Sequence, residues 1–171
     1  MSTRCHIIVE DQEWGYNTIL YRHSDGYPDG THGVVYALAE FMQMFMHRRG
    51  WDPCFMPAQL LHFLISKDAA HMVEYMKEDI KRFGGPSQYQ QEVLDTDGNN
   101  LLGYGISSEI HGDIEYAYVI TKDGVNVYST PCMGGCEDRD TWKRLTTDRQ
   151  AKRIMEGKVP RKWKPKKEKV A

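Results

Sequence analysis

Long apolar runs are missing from this 171-residue chain. No stretch approaches the ~20 apolar residues that a membrane-crossing helix needs. The best candidate, residues 34–46, is interrupted by Glu40 and Gln43. The N-terminus lacks the basic-then-apolar pattern of a secretory signal, so a cytoplasmic protein is expected. Cysteine is sparse: the four are Cys5, Cys54, Cys132 and Cys136. In a reducing compartment they read as free thiols, and the short gap between Cys132 and Cys136, with no second close pair, is a weak zinc signal. The chain also has no glycine-rich phosphate loop, no helix-borne metal motif, no nucleophile pattern and no internal repeat. Those absences remove the activities that a short motif can announce. Binding is therefore expected in preference to catalysis, and any catalysis would be metal-assisted hydrolysis of a phosphoester.

What is there fits an ordinary globular domain: 40% hydrophobic, 11% aromatic and 27% charged residues. A chain of this length builds one core. The net charge of -2 conceals a division. Residues 139–171 hold 13 Lys/Arg against 4 Asp/Glu, or +9, and the first 138 residues hold 9 against 20, or -11. An acidic core region at 1–138 followed by a basic helix and tail at 139–171 is a statement about partners rather than fold.

Residues 5–9, CHIIV, read as a strand, and residues 18–23 read as a second one after a polar loop. On the second strand Ile19, Tyr21 and His23 share one side, and Leu20 and Arg22 the other. Three glycines, a proline and two Asp-Gly pairs make 24–33 a loop. Helical spacing of Val34, Leu38, Phe41, Met42 and Phe45 predicts a helix over 34–49, capped by Thr31 and ended by Gly50. Pro57 suits the first turn of another helix. A break is expected near Ser66 or Asp68, then a continuation with Met72, Val73, Met76, Ile80 and Phe83 on one face, stopping at Gly84 and Gly85. The Met and Phe stripes read first as core and second as an interaction groove. Residues 86–110 read as irregular with at most a short strand, and 114–121 with 125–130 as a hairpin around Lys122-Asp123-Gly124. A last helix is expected over 141–155. The order of elements predicts an α+β fold, with a mainly antiparallel sheet of N- and C-terminal strands covered by two or three central helices.

Two polar knots carry the candidate chemistry. YRHSDGYP, residues 21–28, packs Arg22, His23 and Asp25 between Tyr21 and Tyr27. Arg22 suits phosphate or carboxylate, and His23 suits proton transfer or metal binding, while Asp25-Gly26 also suits a plain turn. HGDIEYAY, residues 111–118, puts His111, Asp113 and Glu115 on one face if it is extended, and Ile114, Tyr116 and Tyr118 on the other. Such a trio can hold a divalent metal, move a proton or accept hydrogen bonds. It can equally be a solvated, ion-paired sheet face.

STRCHIIV, LYRHSDGYPDG and HGDIEYAYVI together resemble a family of small proteins of tailed bacteriophages and bacterial genomes. The resemblance covers residues 1–33 and 111–120 and is looser between them. It implies a phage or prophage setting inside a bacterial host, and supplies no activity. Its pattern carries over to Arg4, Tyr21, Arg22, His23, Asp25, Gly26, Tyr27, His111, Asp113, Glu115 and Tyr116. His6 departs from it, and so does the basic C-terminal extension.

With both motifs in one pattern, the strand at 18–23 is expected beside that at 114–121, bringing His23 and Asp25 to His111 and Asp113 as one site and possible divalent-metal ligand set. Three functions follow. The first is binding of a nucleotide or other phosphate-bearing molecule, held by Arg4 and Arg22 with Tyr27 or Tyr116 stacking on a base. The second is a protein-directed effector that modulates a host enzyme or defence complex through its acidic body. The third is nucleic-acid binding through Lys162, Trp163, Lys164, Lys166 and Lys167, with Trp163 stacking on a base.

Overall fold

A computed structural model describes residues 3–30, 32–98, 103–131, 134–159 and 163–165. The chain runs β1 (Cys5–Asp11), β2 (Tyr16–Arg22), α1 (Val34–Arg49), α2 (Met56–Phe83), α3 (Gln88–Asp95), β3 (Tyr104–Ser107), β4 (Tyr116–Thr121), β5 (Gly124–Ser129), β6 (Lys143–Arg144) and α4 (Asp148–Met155). It is an α+β fold. The strands form one sheet in the order β3-β2-β1-β4-β5-β6. Only the β1–β4 pair is parallel; the other four are antiparallel.

β1 lies between β2 and β4, so the two motif-bearing strands are not neighbours, contrary to expectation. The reason is visible in the burial of Cys5 through Val9, which are all fully buried. A strand covered on both faces needs a largely apolar run, and CHIIV supplies one apart from His6. Cys5, Ile7 and Val9 face α1, α2 and α4 together with Leu20, Tyr118, Ile120, Val125 and Val127. Ile8 faces the other way, with Ile19 and Val119, and is covered by Ile110, Tyr128 and Trp142. Ile154, Met155 and Trp163 join the helix-side core, so the basic segment is built into the same molecule.

Helix boundaries follow local chemistry, with four departures from the expected pattern. The N-cap of α1 is Gly33 without a side-chain cap, and Thr31 lies outside the described residues. The Tyr27 and Pro28 carbonyls accept the Val34 and Val35 amides instead. α2 runs unbroken through Ser66 and Asp68 because Asp68 turns its carboxylate inward to a partner on the sheet rather than capping a new helix. α3 was not expected, yet Ser87 and Gln90 form a reciprocal capping box whose spacing is present in the sequence. α4 starts only at Asp148, behind a second such box at Thr147 and Gln150, while 143–144 pair with β5.

The loop after β2 is held against the start of β1. The Gly26 amide donates to the Thr3 carbonyl (2.9 Å), and the buried Tyr118 hydroxyl donates to the Gly26 carbonyl (2.8 Å). A Cβ at Gly26 would sit 2.8 Å from the Cys5 Cβ and 2.9 Å from the Arg4 carbonyl carbon. Gly26→Ala is therefore expected to cost about 1–3 kcal/mol through overpacking, read as a lower urea midpoint at unchanged m-value; an unchanged midpoint would contradict this close approach.

Candidate functional site

The side-chain alternation of β2 splits YRHSDGYP between the two faces of the sheet. Arg22 points to the helices and is only 3% exposed. Its Nη2 lies 2.7 Å from Asp68 Oδ2, and the Tyr104 hydroxyl donates to the same oxygen at 2.7 Å. Burial works against the Arg22 charge, but the Tyr104 and Asp68 oxygens outweigh it and the pKa is raised. Burial likewise pushes the Tyr104 phenol up, keeping it a donor. Breaking such a buried pair leaves an uncompensated charge, so Arg22 is committed to joining β2, β3 and α2. The neighbouring Cys5 thiol is pushed up to about 12 by burial, which keeps it neutral and poor as a nucleophile or ligand.

The turn that follows is architecture by the same standard. Asp25 adopts a left-handed conformation (φ 55°) and accepts a hydrogen bond from the Tyr27 hydroxyl at 3.2 Å. Both residues are exposed. His32 stacks on His71 with ring centroids 3.6 Å apart, tying the loop to α2.

On the opposite face the two motifs do meet. Tyr21 and His111 pack with ring centroids 4.5 Å apart, and His6 approaches His111 at 4.9 Å and Tyr21 at 5.6 Å. His23 Nδ1 lies 3.1 Å from the Tyr21 hydroxyl, and His111 Nε2 lies 3.0 Å from Ser107 Oγ. Arg4 pairs with Asp113 at 2.9 Å. Residues 111–115 are not a strand, so His111, Asp113 and Glu115 do not share a pleated face. The loop instead lies on the sheet, with the Glu115 amide donating to the Arg4 carbonyl, and Tyr116 opens β4 on the helix side.

His6 sits at the centre of this cluster. It is fully buried, and neither ring nitrogen has a hydrogen-bond partner among the described residues. Burial, reinforced by His111 and opposed by Asp113, lowers its pKa to about 4. Among the described residues no group of three or more His, Cys, Asp or Glu is placed to hold a metal ion. His23, Asp25, His111 and Asp113 therefore form no common ligand set, because each is turned to a partner of its own. Cys132 lies outside the described residues, and Cys136 is buried under the 112–114 backbone. The shallow cleft beside His111 is lined by Glu109, Ile110, Gly112, Asp113 and Glu137. Three carboxylates make it a poor receptor for phosphate.

A larger concavity lies elsewhere, between α1 and α2. A groove of about 630 Å³ is lined by Phe41, Met44, Phe45, Ala58 and Phe63, with Arg48, Arg49, Gln59 and His62 around them. Phe41 stacks on Phe45 (centroids 5.2 Å) and meets Phe63 at 5.7 Å. Phe41 and Phe45 thus serve as core and groove floor together. Met44 and Phe55 remain about half exposed, and the Arg49 guanidinium lies 3.9 Å over the Phe55 ring while pairing with Asp52 at 2.7 Å. The sequence signal for this groove is Met44 set between the phenylalanine stripe and the Arg48–Arg49 helix end.

The tail differs from expectation as well. Trp163 is 5% exposed and packs in the core, with its amide donating to the Tyr36 hydroxyl at 2.6 Å, so its ring offers no face to a base. Lys164 is exposed, while Lys162, Lys166 and Lys167 lie outside the described residues. No helix is long and apolar enough to cross a membrane, among the described residues. Comparison with protein-family models, curated proteins and solved structures gives no match to this chain.

The buried imidazole sets a pH dependence. Since the folded pKa of His6 is about 4, below its ordinary value of 6.5, the unfolded chain takes up the proton first. The stability that His6 contributes is complete above pH 6.5, declines as pH falls through this window and levels off near pH 4. The loss is on the order of 3 kcal/mol. Urea unfolding of wild type and His6→Phe between pH 7 and 4 should show the wild type losing more by that order; parallel profiles would contradict a buried, neutral His6.

Proposed function

We propose that this chain is a partner-binding protein that receives an apolar segment with acidic flanks, contributed by another protein, in the groove between α1 and α2. One observation carries the reading: a phenylalanine floor that Met44 leaves half open, rimmed by Arg48 and His62, which have no ion-pair partner among the described residues. An amphipathic helix laid in such a groove would place anchors at i, i+3, i+4 and i+7 on the aromatic floor. Its Glu or Asp residues would meet Arg48 at the end of α1, while Arg49 stays with Asp52. Lining residues on two rigid helices hold the floor in place before a partner arrives, which lowers the ordering cost of binding.

This reading is favoured over a phosphate-bearing ligand at the motif cleft. Arg22 is bound to Asp68 and Arg4 to Asp113, so binding phosphate there would require breaking an existing pair beside further carboxylates. In the phage setting implied by the resemblance, the partner would be a subunit of a host enzyme or defence complex.

The probe is a synthetic amphipathic helix of about 20 residues with leucine anchors and glutamate flanks, compared with the same helix carrying lysine flanks. Anisotropy titrations should find the acidic peptide about tenfold tighter, the equivalent of about 1.4 kcal/mol, because Arg48 attracts the glutamate flanks and repels the lysine flanks. Met44→Glu and Arg48→Glu should each weaken it. Equal affinity for both peptides, or affinity indifferent to both substitutions, would overturn the reading.

A further inference from the structure

The phosphate-binding capacity missing from the motif cleft is found on α4. A shallow cleft of about 350 Å³ there is lined by Arg149, Lys152, Arg153, Glu156 and Lys158. Glu156, its one carboxylate, is already paired with Lys158 at 3.1 Å. Arg149 and Lys152 have no ion-pair partner among the described residues, and Arg153 donates only to the Lys158 carbonyl at 3.2 Å. Arg149, Lys152 and Arg153 stand at i, i+3 and i+4, so they project from one side of the helix about 5–6 Å apart.

The tail extends the row. Burial of Trp163 pins the chain beside α4, where Gln150 Nε2 donates to the Lys164 carbonyl at 2.9 Å and the Lys164 side chain is exposed. The anchoring uses the Trp163 ring and hydrogen bonds to the backbone, so the cations themselves are not consumed in holding the segment.

We infer that this row of cations on α4 and at Lys164 is a binding track for the phosphate backbone of duplex nucleic acid, read without regard to sequence. Three features favour that ligand. A small phosphate would use the helix N-terminus, but there the capping box takes the Thr147 and Gln150 amides and Asp148 puts a carboxylate in the first turn. A membrane surface would call for apolar anchors, and among the described residues none of the exposed large hydrophobics lies on α4 or the tail. A single strand would call for stacking platforms, and Trp163 is buried. What remains is a linear set of point charges with no means of reading a base, which matches backbone contact alone. The track is separate from the α1/α2 groove and does not depend on a partner there.

The test is anisotropy of the full chain with a short DNA duplex, with the corresponding single strand, and sedimentation with phosphatidylserine vesicles, each over a salt series. Duplex affinity should fall with salt with a log–log slope of about -3 to -4, close to -0.9 per phosphate contacted. The Arg149→Gln, Lys152→Gln and Arg153→Gln substitutions should each reduce the slope by about one, and together weaken low-salt binding at least about tenfold. Met44→Glu should leave binding unchanged, which separates this inference from the groove. All four positions are exposed, and unchanged circular dichroism melts confirm folding. A slope near zero, a triple variant that binds like wild type, tighter binding to the single strand, or equal capture by vesicles would each overturn the inference.

Discussion

Burial of β1 on both faces is the constraint from which the other arrangements follow. A strand at the middle of a sheet sends Cys5, Ile7 and Val9 to one layer and His6 and Ile8 to the other. Pairing antiparallel to β2 and parallel to β4, it holds the two motif-bearing segments one strand apart. The same alternation in β2 separates Arg22 from Tyr21 and His23, which adjoin it in sequence. Adjacency along the chain therefore became opposition across the sheet, and the apparent constellation was divided into two structural clusters.

Each cluster turns its charged groups to partners of its own, while both His6 nitrogens and the Nε atoms of Arg4 and Arg22 are buried with no hydrogen-bond partner among the described residues. On the helix side, Arg22, Asp68 and Tyr104 neutralise one another where three elements meet. On the loop side, His6 meets Tyr21 and His111 edge to face, Tyr21 and His111 pack tilted, and Arg4 holds Asp113, so the 108–115 loop is fastened to the sheet. Charges paired within the fold in this way hold its elements together rather than waiting for a ligand. The charges left over lie elsewhere: Arg48 beside an aromatic groove, and Arg149 and Lys152 along α4. An acidic body thus presents two basic surfaces of different character, one with an apolar floor and one without.

Much of the fold was legible because its signals are local. The Asp123-Gly124 hairpin, the Gly50 and Gly84 helix ends, the Pro57 start and the Val34 to Phe45 stripe all read correctly from spacing and turn chemistry. The α3 capping box is equally local, but the segment has no apolar stripe to announce a helix; only Val93 of α3 is buried. The rest depended on contacts between distant residues. Nothing within residues 66–68 shows that Asp68 will turn to Arg22 on β2, and nothing in CHIIV distinguishes a parallel neighbour from an antiparallel one. Nothing local to His6 shows its burial, because Tyr21 and His111, which surround it, come from distant parts of the chain. Trp163 looked like a stacking residue because a basic run reads as solvent-facing, whereas its ring closes the core beside Tyr36.

The central claim is that the functional surface is the groove between α1 and α2, not the cleft where the two motifs meet. Backbone and methyl chemical-shift mapping with the acidic amphipathic peptide tests it most directly. The account places the largest perturbations at Phe41, Met44, Phe45, Arg48, His62 and Phe63, with the 109–113 loop unaffected. Perturbations concentrated at Glu109, His111 and Asp113, with the groove silent, would contradict it.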